Sequence, residues 1–234
     1  AHMSRLSTAG EMASSLAHEV NQPLGAISAN AQAARLMVAH GTTGELAEVL
    51  SDIARQAHQA SEVVRRLRSF LQKQTRERVP VELEPVLRDA LQLVRLELRD
   101  ARVVPTVRAQ GRTPAVLADG VQLQQVIINL CKNSCEACLT RGGGGQLELT
   151  LAREDNLAVI EVHDDGPGLE PTVAARMFEP YVSTKRDGMG LGLAICRSII
   201  ESHGGRLMLV PARMGGVSFR IELPLDGTMV RPPL

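Results

Sequence analysis

The sequence predicts an α-helical hairpin that pairs in a dimer to form a four-helix bundle, followed by an α/β two-layer sandwich. Three observations carry this reading. Up to about residue 76 the apolar positions recur every three or four residues. Beyond residue 79, helical stretches alternate with short runs of period two. Finally, 44% of the 234 residues are hydrophobic, which is enough for packed cores and excludes a disordered chain. The expected domains are 4–76 and 80–227.

In the first domain Leu46, Leu50, Ile53, Ala57, Ala60, Val64, Leu67 and Leu71 advance by four and three, the period of a helix in a bundle. Leu6, Ala13, Leu16, Val20, Leu24, Ile27, Ala31, Ala34 and Val38 form a similar stripe between Ser4 and Ala39. His40-Gly41-Thr42-Thr43-Gly44 breaks the pattern, so the helices should fold back antiparallel. One hairpin cannot bury stripes on both helices, whereas two copies can, so a homodimer is expected.

In the second domain a strand at Val79–Leu83 should close at Pro85, with a helix from Pro85 to Arg99. Strands are expected at Arg102–Arg108 and Ala115–Leu117. A long helix from about Asp119 to Leu139 should stop at Gly142–Gly145. Strands at Gln146–Arg153 and Leu157–His163, a helix at Gly190–His203, and strands at Arg206–Val210 and Val217–Leu223 complete the domain. Mixed helices and largely adjacent strands suit a two-layer sandwich.

Lysine plus arginine (26) equal aspartate plus glutamate (26), giving zero net charge. That argues against a nucleic-acid partner and against an anionic membrane surface. No apolar run approaches the ~18 residues of a bilayer span, so membrane contact by this chain is not expected. Cys131, Cys135 and Cys138 fall on one helix face. A metal site there would lack CxxC pairs and a nearby histidine, and small buried hydrophobes are the simpler reading. Free thiols suit a reducing compartment. The opening Ala1-His2-Met3 reads as a cloning scar ahead of an internal start.

Chemistry concentrates in several segments. His18 lies between seam residues Leu16 and Val20, so its ring should face solvent. Glu19 can accept the proton of the ring nitrogen that does not attack, fixing the tautomer. Pro23 removes an amide one turn later and should bend the helix, at about 3 kcal/mol in an ordinary interior. A solvent-facing helical histidine is more often inert, so this segment alone decides little. Asn129 and Asn133 sit one turn apart on an apolar helix, where an amide oxygen can ligate Mg²⁺ beside a phosphate. Asp164-Asp165-Gly166-Pro167-Gly168 ends a strand: an aspartate there can accept from an exocyclic amine while glycines let backbone approach a flat ring. Ser183, Thr184 and Lys185 precede Gly188-Met189-Gly190-Leu191-Gly192, where amides opening a helix suit an anion and Thr184 and Lys185 can reach a terminal phosphate. Each string is weak alone, and their order and spacing together are much stronger.

Taken together, these segments resemble the H, N, G1, F and G2 boxes of sensor histidine kinases, over nearly the whole chain from about Arg5 to Leu225. His-Glu-Val-Asn-Gln-Pro-Leu (18–24) is similar to the nitrogen-regulation and oxygen-sensing branch. The resemblance implies a dimerisation and histidine-phosphotransfer hairpin ahead of a Bergerat-type ATP-binding sandwich. His18 would be the phosphoacceptor and Glu19 its base or orienting group, with Gln22 in the same catalytic segment. Asn133 would hold Mg²⁺ with Asn129 in support, and Asp164 would read adenine. Gly166 and Gly168 would shape the adenine pocket, and Gly190, Leu191 and Gly192 the phosphate end, with Lys132, Thr184 and Lys185 also at the ATP. Residues Glu179 to Met189 would form the lid, and about Thr75 to Pro80 the hinge.

The implied activity is ATP-dependent phosphorylation of His18, followed by transfer to an aspartate of a response-regulator receiver domain. The implied setting is cytoplasmic, within a larger sensor protein. Two departures stand out. Relatives that also dephosphorylate their partner carry threonine or asparagine four residues after the histidine, where this chain has Gln22, so the resemblance does not carry phosphatase activity over. A hydroxyl residue often stands two before the final-strand phenylalanine, where this chain has Val217 beside Ser218. Two other classes remain: an ATPase of the gyrase and chaperone type or an anti-sigma serine kinase, neither of which needs the His-Glu hairpin, and a degenerate kinase that only dimerises and docks.

Overall fold

The computed structural model describes residues 2–42, 44–71, 78–111, 115–183 and 190–225, of which 2–20, 58, 59 and 61–71 are described for the backbone alone. The chain divides into two compact units, Ala1–Gln74 and Thr75–Leu234.

The first unit is a hairpin of α1 (His2–Ala39) and α2 (Leu46–Leu71). Its turn closes with the Gly41 amide on the Val38 carbonyl (3.3 Å) and the Thr42 amide on the Met37 carbonyl (3.0 Å). Gly41 adopts φ +67°, which ends the helix in a left-handed cap that a side chain would disfavour. The helical assignment of α1 continues through Pro23, which is buried. Ala34 and Ala60 are buried, whereas Leu24, Val38 and Leu50 of the two stripes are about half exposed or more. Part of each stripe is therefore covered within one hairpin, while Leu24, Val38 and Leu50 stay open.

The second unit contains β1 (Val79–Glu82), α3 (Leu83–Leu93), α4 (Arg95–Asp100), β2 (Val103–Ala109), β3 (Ala115–Ala118), α5 (Gly120–Thr140), β4 (Gly145–Glu154) and β5 (Leu157–Asp164). It continues with α6 (Pro171–Ala174), α7 (Gly192–Ser202), β6 (Arg206–Val210) and β7 (Ser218–Pro224). A five-stranded sheet has the order β2-β4-β5-β7-β6, with β2 parallel to β4 and the other pairs antiparallel. β1 and β3 form a separate antiparallel pair.

Three local expectations need correction. The helix after β1 starts at Leu83, not at Pro85, because proline is tolerated in a first turn where its missing N–H has no intrahelical partner. The expected helix to Arg99 is split at Val94, a buried residue between α3 and α4. The short α6, opened by Pro171, was not expected.

The core lies between one sheet face and the helices. Leu147, Leu149, Ile160, Val162, Phe219 and Ile221 line that face, and Leu87, Leu123, Ile127, Leu130, Ile195 and Ile200 come from α3, α5 and α7, all of them buried. Each fully buried leucine or isoleucine contributes about 1.5–3 kcal/mol. β5 is buried on both faces, unlike the simple alternation expected of it. On its second face Glu161 pairs with Arg220 (3.0 Å) and Arg213 (3.3 Å), and His163 Nδ1 lies 2.7 Å from the Ser218 hydroxyl.

α5 is pinned at its start. Asp119 caps it by accepting from the amides of Val121 (3.0 Å) and Gln122 (3.3 Å). The Asp119 amide in turn donates to His203 Nε2 (3.0 Å), and His203 Nδ1 donates to the Ile199 carbonyl (2.8 Å). These partners require the neutral ring with its proton on Nδ1. Burial pushes the imidazole below its ordinary value and Arg78 pushes the same way, against the Ile199 carbonyl and Asp119. The unfolded chain therefore binds this proton first, at about pH 6.5. The contribution of His203 is complete above that pH and declines as pH falls through it. Urea midpoints should drop from pH 7.5 to 5.5 more steeply in the parent than in His203→Leu, with His203→Leu less stable at pH 7.5 by about 1–3 kcal/mol; equal slopes would contradict this account.

Candidate functional site

Asp164 ends β5 and is only 3% exposed, so its carboxylate needs partners from the protein. It has three. Oδ1 accepts the amides of Gly166 (3.0 Å) and Val217 (3.0 Å), and Oδ2 accepts the Ser134 hydroxyl (2.9 Å). The β5–α6 turn, the β6–β7 loop and α5 thus converge on one side chain. A carboxylate offers about four acceptor positions, and the fourth suits a single additional donor.

The neighbouring glycines are explained by close approach. A Cβ at Gly216 would collide with the Asp164 carboxylate and the Gly166 amide. Gly168 adopts φ +79° and passes beside the Gly215 and Gly216 carbonyls. The β6–β7 loop thereby forms a backbone wall next to Asp164. Ser218 does not turn to this site, since its hydroxyl meets His163. At this end of β7, Asp164 accepts from the Val217 backbone amide, and its other oxygen accepts from Ser134.

The next residue has a structural task. Asp165 Oδ1 accepts from Arg141 (2.9 Å) and from the Gln146 amide (2.9 Å), and Arg141 also reaches the carbonyls of Asp165 and Gly144. Burial would raise this carboxyl, but the Gln146 and Arg141 hydrogen bonds outweigh it and hold it below the ordinary carboxylate range. The Gly142–Gly145 turn is thereby clamped to the end of β5.

On α5 the two asparagines are one turn apart and so share a face. Asn129 Nδ2 donates to Cys196 Sγ on α7 (3.3 Å), and a Cβ at Gly192 would stand 2.9 Å from Asn129 Oδ1. The start of α7 therefore packs directly on Asn129. Gly190 adopts φ +63°, and a Cβ there would stand 2.5 Å from the backbone of Tyr181 and Val182. Leu191 is buried as the first anchor of α7. Asn133 is half-buried. Lys132 pairs with Glu97 Oε1 of α4 at 2.8 Å, so its charge is committed to that contact.

Cys131, Cys135 and Cys138 are buried as the stripe required. Burial first, and then Cys138 and Glu97, pushes the Cys135 thiol up to about 12, which makes it inert at neutral pH. Among the described residues no cluster of three or more histidine, cysteine or acidic side chains is placed to hold a metal, and no helix is long and apolar enough to cross a membrane.

The structure thus brings together Asp164, Gly166 and Gly168 as one group, and Asn129, Gly190, Leu191 and Gly192 as another; Asn133, on the Asn129 face of α5, and Ser134 lie between them in sequence. His18 and Glu19 lie on helical backbone of α1, and their side chains fall outside the described residues. Gln22 is exposed on α1. Thr184, Lys185 and residues 75–77 of the expected hinge also lie outside the described residues, while Val79 and Pro80 open β1. Sequence reasoning missed Ser134, which had a signal, being a small polar residue within the buried stripe of α5. Tyr181, almost the only aromatic besides three phenylalanines and a residue whose role the sequence leaves open, adopts φ +67° in the turn it occupies.

The arrangement offers one buried acceptor for an amino group, glycine backbone for a flat ring, and amide oxygens at the mouth of α7. Such oxygens are hard ligands of the kind Mg²⁺ takes alongside phosphates, so the residues present fit both ATP and the ion.

Comparison with known proteins gives a consistent result. The histidine kinase-, DNA gyrase B- and HSP90-like ATPase family matches residues 118–227, and the His Kinase A (phospho-acceptor) domain family matches residues 8–76. The C4-dicarboxylate transport sensor protein DctS of Rhodobacter capsulatus is 40% identical over 96% of this chain, and the sensor protein FixL of Bradyrhizobium diazoefficiens is 38% identical over 95%. The chain spans 35% and 45% of the lengths of those two relatives. A crystallised catalytic domain of histidine kinase ThkA is 30% identical, with a TM-score of 0.58 over 65% of this chain and 98% of that one. ThkA in complex with the response regulator protein TrrA is 25% identical over 96% of this chain and 64% of that one, with a TM-score of 0.72. With both of its units matched in order and a solved kinase catalytic domain covered almost completely, the chain belongs to the sensor histidine kinases.

Proposed function

We propose that this chain is a histidine kinase catalytic core that binds Mg-ATP, moves its γ-phosphoryl group onto His18, and passes that group to an aspartate of a receiver domain. The Asp164 site carries this reading, because a buried carboxylate held by three donors has a single acceptor position to offer an exocyclic amine. The domains would be 4–76 for dimerisation and phosphotransfer and 80–227 for ATP. Half-exposed Leu24 and Leu50, with the still more open Val38, support a homodimer, since a second hairpin would cover them.

Asp164 would read the adenine amine, with Gly166 and Gly168 admitting the ring. Gly190, Leu191 and Gly192 would present backbone to the phosphates at the opening of α7, aided by the helix dipole. Thr184 and Lys185 would approach the terminal phosphate; Lys132 would act from further off through its charge, because Glu97 holds it. Asn133, supported by Asn129, would hold Mg²⁺, which when bound neutralises phosphate charge. The unprotonated ring nitrogen of His18 would form the new P–N bond as the P–O bond to ADP breaks, and Glu19 would take the proton from the other nitrogen. Gln22 would line the same segment. Transfer to a receiver aspartate is supported by the ThkA–TrrA complex. Zero net charge and the lack of a spanning helix among the described residues fit a core that acts at the cytoplasmic end of a sensor.

Incubation with γ-labelled ATP and Mg²⁺ should give acid-labile, base-stable label on the parent and none on His18→Gln or Asn133→Ala. Label that survives His18→Gln would move the acceptor elsewhere, and ATP turnover without label would favour a simple ATPase. Gly190→Ala strains a left-handed position and crowds the Tyr181–Val182 backbone, so ATP affinity by calorimetry should fall tenfold or more, by about 1.4 kcal/mol or greater. Unchanged affinity would remove Gly190 from the phosphate end.

A further inference from the structure

Asp164 is held from three directions, and one of them is a side chain. Oδ1 is occupied by two backbone amides, Gly166 and Val217, each at 3.0 Å, which no substitution of side chains removes directly. Oδ2, the oxygen with an acceptor position remaining, receives only the Ser134 hydroxyl at 2.9 Å among the described hydrogen bonds. Ser134 is 1% exposed and belongs to α5, the helix that also carries Asn129 and Asn133. The other nearby hydroxyl, Ser218, is engaged with His163 on the opposite face of the sheet.

We infer that Ser134 is a positioning residue for nucleobase selection: its hydroxyl occupies one lone pair of Asp164 Oδ2 and turns the other toward the exocyclic amine. The inference rests on the adenine-reading role proposed for Asp164. A hydroxyl carries one proton. Once that hydrogen bond is donated to Asp164 Oδ2, no second donor from Ser134 competes for the remaining lone pair, and the carboxylate is held in one orientation. With the hydroxyl removed, Oδ2 loses a charge-assisted bond and rotates or recruits water, so its direction toward an amine is no longer set. The same bond ties the middle of α5 to the end of β5, so the base-reading and phosphate-facing parts of the site share one anchor.

Ser134→Ala removes the hydroxyl. Ser134→Cys keeps a side chain of similar shape with a much weaker donor. Binding of ATP and of purine riboside triphosphate, which lacks the exocyclic amine, is measured by calorimetry for parent and variants, with thermal midpoints recorded alongside. The parent should prefer ATP, and both variants should lose about tenfold of that preference, chiefly through weaker ATP binding. Equal weakening toward both nucleotides, or a preference retained by Ser134→Cys, would make Ser134 a packing residue and overturn the inference. A parent that binds ATP without any preference for the amine would refute the adenine-reading role of Asp164 itself, and a parent that binds neither nucleotide would refute the ATP reading.

Discussion

A buried carboxylate must be paired, and the pairing of Asp164 organises the catalytic unit. At 3% exposure it cannot rely on water, so the chain supplies two amides and a hydroxyl from three separate elements. Those bonds fix the β5–α6 turn, the β6–β7 loop and α5 relative to one another. The glycines follow from this. Gly216 must lack a side chain because the loop delivers the Val217 amide across the carboxylate, and Gly166 because its own amide turns back on it.

The same helix carries the constraint outward. Its start is held by the Asp119 cap and the bond from the Asp119 amide to His203, its middle by Ser134, and its end by the Gly142–Gly145 turn that Arg141 and Asp165 clamp. Three attachments along one helix leave little freedom for the Asn129 face. Asn129 then positions the opening of α7 through Cys196 and Gly192. Polar anchors inside apolar surroundings cost stability if left unpaired, and the bonds to Asp119 Oδ1, Asp164 and Asp165 favour a single arrangement over a sliding interface. Packing alone would hold α5 against the sheet, but would not fix its register to the fraction of an ångström that these hydrogen bonds demand.

Much of this was legible from the sequence, for identifiable reasons. The hairpin was legible because its heptad-like spacing is long and uninterrupted, and α5 because a capping aspartate and a glycine run bracket it. The glycine turns beside Asp164 and ahead of α7 were legible because glycines recur there at a strand end and a helix start, where backbone must approach closely. What escaped depends on partners distant in sequence. Ser134 meets Asp164 thirty residues away, and on the second face of β5 Glu161 finds its arginine partners in β7 and the loop before it. Pro85 misplaced a helix start by local rule, since proline is tolerated anywhere in a first turn and marks no single position within it.

Under the proposed function, the order around Asp164 and α5 has a chemical use. Catalysis of phosphoryl transfer depends on placement and charge neutralisation more than on covalent help. A nucleotide site that is ordered before ATP arrives loses none of the binding energy to arranging itself. The three hydrogen bonds to Asp164 supply that order from within the sandwich.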